Sequence, residues 1–318
     1  MGFRFIKGAT VGLMVALMGQ SAAADGWTPS GPIDVMIAFR AGGGADTLGR
    51  ALAEDLSASR GWEFIPQNLP GRGGSTMASE LLTKPADGLT IGVTVEPSIA
   101  YVPQVAQKPP YSVDDFTYLS TLAGSQTGLI AKADRGWESL ADVIAAAKAG
   151  EQISVGAMAP NLADGTYVIA KNNGIELTSV MVQGGRAGLN GVVAGDLDIA
   201  WAAGIQAKGV ETGTLVSLAS AESFPLAFSP DAPLLSEFGV PFTFGTRFLV
   251  IAPANLPEDA HAALAAAIAD ILNDPDSKTS QFAQRAFGGT LSIQGEELAA
   301  SVRAATEEAK ALIEATSE

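Results

Sequence analysis

"PIDVMIAFRAGGGADTLGRALAEDLSAS", residues 32–59, joins two periodicities through three glycines. Ile33 to Phe39 is a short apolar run and predicts a buried strand. Leu48, Leu52 and Leu56 recur at i, i+4 and i+8 and predict a helix. Outward from this unit, "WEFIPQN" predicts a second strand and "STMASELLTK" a second helix, stopped by Lys84-Pro85-Ala86-Asp87-Gly88. "LTIGVTV" predicts a third strand. Strand and helix alternating through short loops imply right-handed crossovers and a parallel sheet.

A second unit of the same kind begins after Gly128. "GLIAKAD", "QISVGAM", "ELTSVMV", "LDIAWAAG" and "TLVSLAS" predict strands. "SLADVIAAAKAG", "GTYVIAKNN" and "GLNGVVAG" predict helices between them. "TRFLVIAP" predicts one more strand, followed by a helix opened by Pro257, Glu258 and Asp259. "GEELAASVRAATEEAKALIEA" predicts a long amphipathic tail helix whose acids face solvent. The expectation is an α/β chain of two lobes, each a mainly parallel sheet flanked by helices, with the chain crossing between them more than once.

Residues 1–24 are expected to be a signal peptide: Arg4 and Lys7 precede an apolar run, and Ala22 and Ala24 occupy the small positions of a cleavage site before Asp25. No later run approaches ~20 apolar residues, so a soluble exported protein is expected. There is no Cys and a single His, His261, which excludes disulfides, thiolate chemistry and Cys- or His-rich metal sites. No metal, cofactor or catalytic residue is expected. Arg4 and Lys7 are the only charges in the leader, so the net charge of −15 becomes −17 without it. Such a surface repels nucleic acid. It does not bar a small anion from a cleft with its own local field, because salt screens over ~10 Å.

The loop at Gly42–Gly44 follows a strand and opens a helix, where ligands of open α/β sheets bind. Glycines let backbone N–H groups approach an anion, and the helix N-terminus adds unpaired donors. Asp46 reads as the N-cap, leaving Gly43, Gly44 and Ala45 to face a ligand. Position 47 is Thr, so the G-x-G-x-x-G dinucleotide fingerprint fails, and there is no G-K-[ST] of a P-loop. On these residues alone, a glycine turn without a ligand stays open.

The ordered series "IAFRAGGGADTLGR", "NLPGRGG", "PADGLT", "VQGGRAGLNGVVAGDLDIAW" and "RFLVIAPANLPEDAHAALAAAI" resembles the solute-binding proteins of tripartite tricarboxylate transporters, the Bug or TctC family. Asn68, Pro70, Gly71, Gly73 and Gly74 match one family turn, and Asp87, Gly88 and Thr90 the next. The resemblance implies a periplasmic binding protein of the type II-like, Venus-flytrap kind. Its lobes would be residues 25–127 with 248–318, and 128–247. It would act as a monomer that closes on a small carboxylate and delivers it to the membrane permease subunits of such a transporter. Carried over residue by residue, lobe one would offer Phe39, Gly43, Gly44, Ala45, Asp46 and Thr47. The lobe-two loop from Gly156 to Asp164 would offer Ala157, Met158, Ala159, Asn161 and Asp164. Gly184, Gly185 and Arg186 would face the same cleft. A bulky acid at Gly44 would block binding and spare the fold.

Departures from the family pattern bear on the ligand. Ala38 replaces the usual Pro, and Met158, Ala159 and Asn161 stand where Gly and Ser are common. Arg40 and Arg186 occupy positions that are often neutral. These changes leave two expectations open, an apolar or aromatic portion on the ligand and a larger spacing between its carboxylates. His261 reads as structural, Asp196 and Asp198 as turn residues, and Trp201 as core. Hinges are expected at Gly128–Lys132 and Phe248–Ile251. Two other functions fit less well: a ligand-sensing co-receptor on the same fold, and a periplasmic enzyme using Asp46 and Asp164 as a carboxylate pair across a cleft.

Overall fold

The computed structural model describes residues 1, 2 and 26–317. Residues 3–24 of the expected leader lie outside the described residues. In chain order the strands are β1 (Ile33–Ile37), β2 (Phe64–Asn68), β3 (Thr90–Val95), β4 (Phe116–Gly124), β5 (Thr127–Lys132), β6 (Ser154–Ala157), β7 (Thr178–Met181), β8 (Ile199–Ala203), β9 (Leu215–Ser220) and β10 (Arg247–Pro253). The helices are α1 (Gly44–Arg60), α2 (Ser75–Leu81), α3 (Glu96–Ala100), α4 (Val102–Val105), α5 (Leu140–Lys148), α6 (Pro160–Asn173), α7 (Gly185–Ala194), α8 (Ala207–Glu211), α9 (Glu258–Asn273), α10 (Lys278–Phe287) and α11 (Gly295–Ser317).

The strands form two five-stranded sheets, ordered β2-β1-β3-β10-β4 and β7-β6-β8-β5-β9. The α/β, two-lobed class is as expected. The sheets themselves are mixed rather than mainly parallel. In each, a parallel trio continues into an antiparallel fourth strand, β10 beside β3 or β5 beside β8. The reason is connectivity: β5 enters the second sheet directly from β4, and β10 returns to the first. A strand arriving from the other lobe runs against the trio built by local crossovers. Ser125 and Gln126 alone separate β4 from β5. Backbone N–H of Ser125 donates to Thr246 O at 2.7 Å, so the two crossing segments lie side by side.

Local packing follows the sequence periodicity. Leu48, Leu52 and Leu56 of α1 are fully buried against Ile33, Val35 and Ile37 of β1. Burial on this scale contributes about 1.5–3 kcal/mol per side chain. Gly49 lets the helix sit on the strand, since an added Cβ would stand 3.1 Å from Ile37 Cδ1. The tail helix α11 packs on both halves of the molecule. Leu298 and Val302 join the core around Met36 and Leu249. Ala309 and Leu312 join the core around Leu129 and Trp201. Its Glu307 and Glu308 are exposed, as the acid pattern predicts.

The expected hinges, Gly128–Lys132 and Phe248–Ile251, lie inside β5 and β10, which are paired on both sides. A doubly paired strand changes its dihedral angles only by breaking its ladders, which argues against bending within those segments.

Candidate functional site

The carboxyl ends of both parallel trios face one cavity of about 300 Å³. The β1–α1 loop brings Phe39, Arg40, Ala41, Gly43, Gly44 and Ala45 to its wall. The segment after β2 brings Gly73, and the end of β3 brings Val95 and Pro97. From the second sheet come Met158, Ala159, Asn161 and Leu162 after β6, and Gln183 to Ala187 after β7. Three helices of ten or more residues, α1, α6 and α7, therefore start at this cavity. First-turn N–H groups at a helix start lack i−4 partners, and each helix end carries roughly half a positive charge; α6 offers fewer donors, because Pro160 has no N–H and Leu162 N donates to Ala159 O at 3.1 Å. Among the lining residues the only ionisable side chains are Arg40 and Arg186. The wall is otherwise largely apolar, with Phe39, Val95, Leu162, Ile205, Phe244 and Phe248.

Of the residues singled out in the sequence, the cavity gathers Phe39, Gly43, Gly44, Ala45, Met158, Ala159, Asn161, Gly185 and Arg186. It does not gather Asp46, Thr47, Ala157 or Asp164. Helix α1 starts at Gly44, and its N-cap is Gly43, so Asp46 is not the cap but a residue of the first turn. Its carboxylate turns back, accepting from Gly42 N at 2.8 Å, Arg50 Nε at 2.8 Å and Asn68 Nδ2 at 2.8 Å. Burial pushes the Asp46 carboxyl up, but hydrogen bonds from Asn68, Gly42 and Arg50 outweigh it and hold the group below the usual range. Asn68 also donates to Phe39 O at 2.8 Å. The glycine loop is thus held from behind by Asp46 and Asn68, which explains the Asn in the "NLPGRGG" turn. Thr47 spends its hydroxyl on Gly43 O at 3.0 Å. Ala157 is wholly buried in the core under β6.

Asp164 accepts a hydrogen bond from the Tyr101 hydroxyl, joining α6 to the first half of the molecule. Burial raises the pKa of Asp164 more than that bond lowers it. Asp46 and Asp164 each have their own partners and do not form a pair facing a substrate. Arg186 reaches across the cavity mouth, with Nη2 donating to Gly42 O at 3.2 Å. Gly44 is less open than its residue type suggests: a Cβ there would stand 3.1 Å from Phe287 Cζ and 3.2 Å from Phe248 Cζ. An acid at Gly44 would disturb that aromatic pair, so it would not spare the packing.

Asn161, at the start of α6, is 8% exposed, and its Oδ1 has no hydrogen-bond partner among the described residues. His261 and Asp198 have structural places. The His261 ring lies 3.2 Å from Tyr118 O, and Asp198 accepts from Ser154 N at 2.9 Å. Trp201 is core, donating to Thr166 Oγ1 at 2.9 Å. The sequence reading missed Thr127, Phe244, Thr246 and Phe248, which the crossing segments bring to the wall. No local pattern marks them, because only the assembly of the two sheets puts them there.

A family model described as "Tripartite tricarboxylate transporter family receptor" matches residues 48–315. The chain is 27% identical over 266 residues to Protein BugT of Bordetella pertussis, covering 77% of this chain and 78% of that one. In structure it is similar to an R. palustris protein solved with adipate, at a TM-score of 0.81 and 23% identity, covering 91% of this chain and 98% of that one. It is also similar to MatC from Rhodopseudomonas palustris with bound malate, at a TM-score of 0.77 and 22% identity, covering 90% of this chain and 100% of that one.

Proposed function

Because the chain belongs to the tripartite tricarboxylate transporter receptor family, we propose that it is a periplasmic solute-binding receptor for a small organic carboxylate. It closes two lobes on the ligand and delivers it, as a monomer, to the membrane permease subunits of such a transporter. One observation carries this reading: three helix N-termini and two arginines, with no carboxylate, His, Lys or Tyr beside them, line one cavity between the sheets. That is a place for an anion and not for acid–base turnover, so no enzymatic activity is proposed. The adipate and malate of the similar structures are the class of ligand to test first. Charge-assisted hydrogen bonds contribute about 1.5–3 kcal/mol each. A handful from backbone donors therefore supports micromolar binding, about −8 kcal/mol, after the cost of ordering.

The proposed lobes are residues 25–127 with 248–318, and residues 128–247. The proposed hinge is the pair of adjacent crossings at Ser125–Gln126 and Phe244–Thr246, which bend while α11 stays packed on both sides. Closure is a hinge motion, and ligand shifts the population toward the closed form.

The test is Gly43→Asp. Gly43 has φ −85° and ψ 173°, which any residue adopts. The nearest atom to an added Cβ is Arg40 O at 3.6 Å. Asp is a better N-cap than Gly by a few tenths of a kcal/mol, so stability should hold or rise slightly. Its carboxylate would occupy the donors meant for the ligand. A thermal-shift panel of dicarboxylates, citrate and aromatic acids should give a hit for the wild type, and calorimetry should show that hit lost in Gly43→Asp. Equal affinity in the variant would refute the glycine loop as the binding site.

A further inference from the structure

We propose that Arg186 makes closure conditional on an anion: it pairs with Gly42 O when the two halves meet and gives the rest of its guanidinium to the ligand's carboxylate. This rests on the receptor reading above and adds to it the residue that reads ligand charge. Arg186 is the second residue of α7. A cation there faces the positive end of its own helix, where an acid would be favoured. The chain has acids to spare, 34 against 19 Lys and Arg, and Arg50, Arg60, Arg135, Arg247 and Arg303 each lie against one. Among the described residues no acid lies within ion-pair distance of Arg186, and no carboxylate lines its cavity. Its Nε at 3.4 Å and its Nη2 at 3.2 Å converge on a single uncharged oxygen, Gly42 O. A planar fork suited to two carboxylate oxygens is thereby left largely unused. Gly42 leads straight into Gly43 and Gly44, which line the cavity at the start of α1, as Gly184 and Gly185 do at the start of α7. Arg186 therefore stands where the two halves would share one carboxylate. Without an anion, closing brings the helix starts, Arg40 and Arg186 together, all of one sign. A bound carboxylate supplies the missing counter-charge and turns that repulsion into attraction from both sides. Arg40 belongs to the half that carries the glycine loop, so of the two arginines only Arg186 can join the halves.

The experiment titrates wild type, Arg186→Gln and Arg186→Lys with adipate, malate, citrate and benzoate at low and high salt, with off-rates from stopped flow. Arg186 is exposed, so the ligand-free variants should melt with wild type, which reports that they are folded. For the tightest-binding probe, Arg186→Gln should lose about ten- to 150-fold in affinity, the range of one charge-assisted hydrogen bond, mostly through a faster off-rate. It should also lose much of the salt dependence of binding, which a residue that only steadies the loop would not change. Arg186→Lys keeps the charge without the fork, so it should keep the salt dependence while regaining only part of the affinity. Three outcomes overturn the proposal: Arg186→Gln binds as tightly as wild type, its affinity falls with the salt dependence intact, or Arg186→Lys matches Arg186→Gln in both. Each of these leaves the receptor reading standing. A wild type that binds none of the four probes defeats the receptor reading with it.

Discussion

Replacing Glu222 with Gln should remove a pH dependence of stability that the two crossing segments build into the protein. Glu222 is 9% exposed and follows β9. Its Oε1 accepts from Thr127 N at 2.6 Å and from Ser125 Oγ at 3.0 Å. Ser125 Oγ in turn accepts from Thr246 N at 2.8 Å, so one carboxyl group organises both crossings. Burial pushes its pKa up to about 7 from 4.5, more than those donors pull it down. A raised carboxyl pKa means that the folded protein holds the proton longer than the unfolded chain. Its contribution is therefore fully present below pH 4.5 and is lost as pH rises through about 7. At 1.36 kcal/mol per unit, the loss is roughly 3 kcal/mol by pH 8, as an order of magnitude. Gln keeps an acceptor for Thr127 and stays neutral. Urea unfolding of both proteins from pH 4.5 to 8.5 reads the difference, with every other titrating group common to both. The variant should gain on wild type as pH rises and level off above neutrality. Parallel curves would show that Glu222 does not titrate in this range, and a variant that loses ground with pH would reverse the sign of the argument.

Two further substitutions probe closure, and both contacts cross between the halves of the molecule. Gly204 has φ 114°, and a Cβ there would stand 2.3 Å from Ala286 O on α10. Gly204→Ala should weaken ligand binding by opposing the closed form, at a strain of about 1–3 kcal/mol or roughly 5- to 150-fold. Small-angle scattering with saturating ligand should show less compaction, and unchanged affinity would refute the contact as part of closure. Tyr101→Phe removes the donor to Asp164 and leaves a partly buried carboxyl without it. A hydrogen bond to a charged group contributes about 1.5–3 kcal/mol, so affinity should fall about ten- to 150-fold through a faster off-rate in stopped-flow measurements. An off-rate equal to wild type would place the bond outside the closing step.

Legibility in the sequence followed periodicity. The trio β1, β2 and β3 and helix α1 were readable because each hydrophobic pattern is local and bounded by Gly or Pro. β4, "FTYLSTLAG", was not read, because its run of buried residues lacks alternation and follows a Pro-Pro-Tyr loop. Helix α10, "KTSQFAQRAF", was missed for the opposite reason: Thr279 and Ser280 are buried on its inner face and make it look polar throughout. Asp46 was placed wrongly because an acid is favoured both as N-cap and within the first turn, so residue type cannot separate the two. The glycines at 42–44 were legible as a strand-to-helix loop, and the structure brings Gly43 and Gly44 to the cavity wall. Phe244, Thr246 and Thr127 were not, since their place depends on how two sheets meet and not on any neighbour in sequence.

If the proposed receptor function holds, an acidic chain must separate its global charge from the local field of an anion site, and Asp46 is where the separation is made. The residue sits beside the glycine loop and would repel a carboxylate if it faced the cavity. Instead its charge is taken up by Arg50, Asn68 and the Gly42 N–H. The same three bonds fix the loop that presents Gly43, Gly44 and Ala45 to the cavity. One carboxylate therefore stiffens the anion site while its own charge is neutralised behind it. Stiffness matters because donors already in place lose little freedom when the ligand arrives, and that saving adds to affinity without any new contact. The remaining surface acids are screened over ~10 Å and act on the rate of encounter more than on the bound state. Only Arg40 and Arg186 carry formal charge into the wall. The pairing of Arg186 with Gly42 O places its charge at the rim of the cavity and ties the second half of the molecule to the loop.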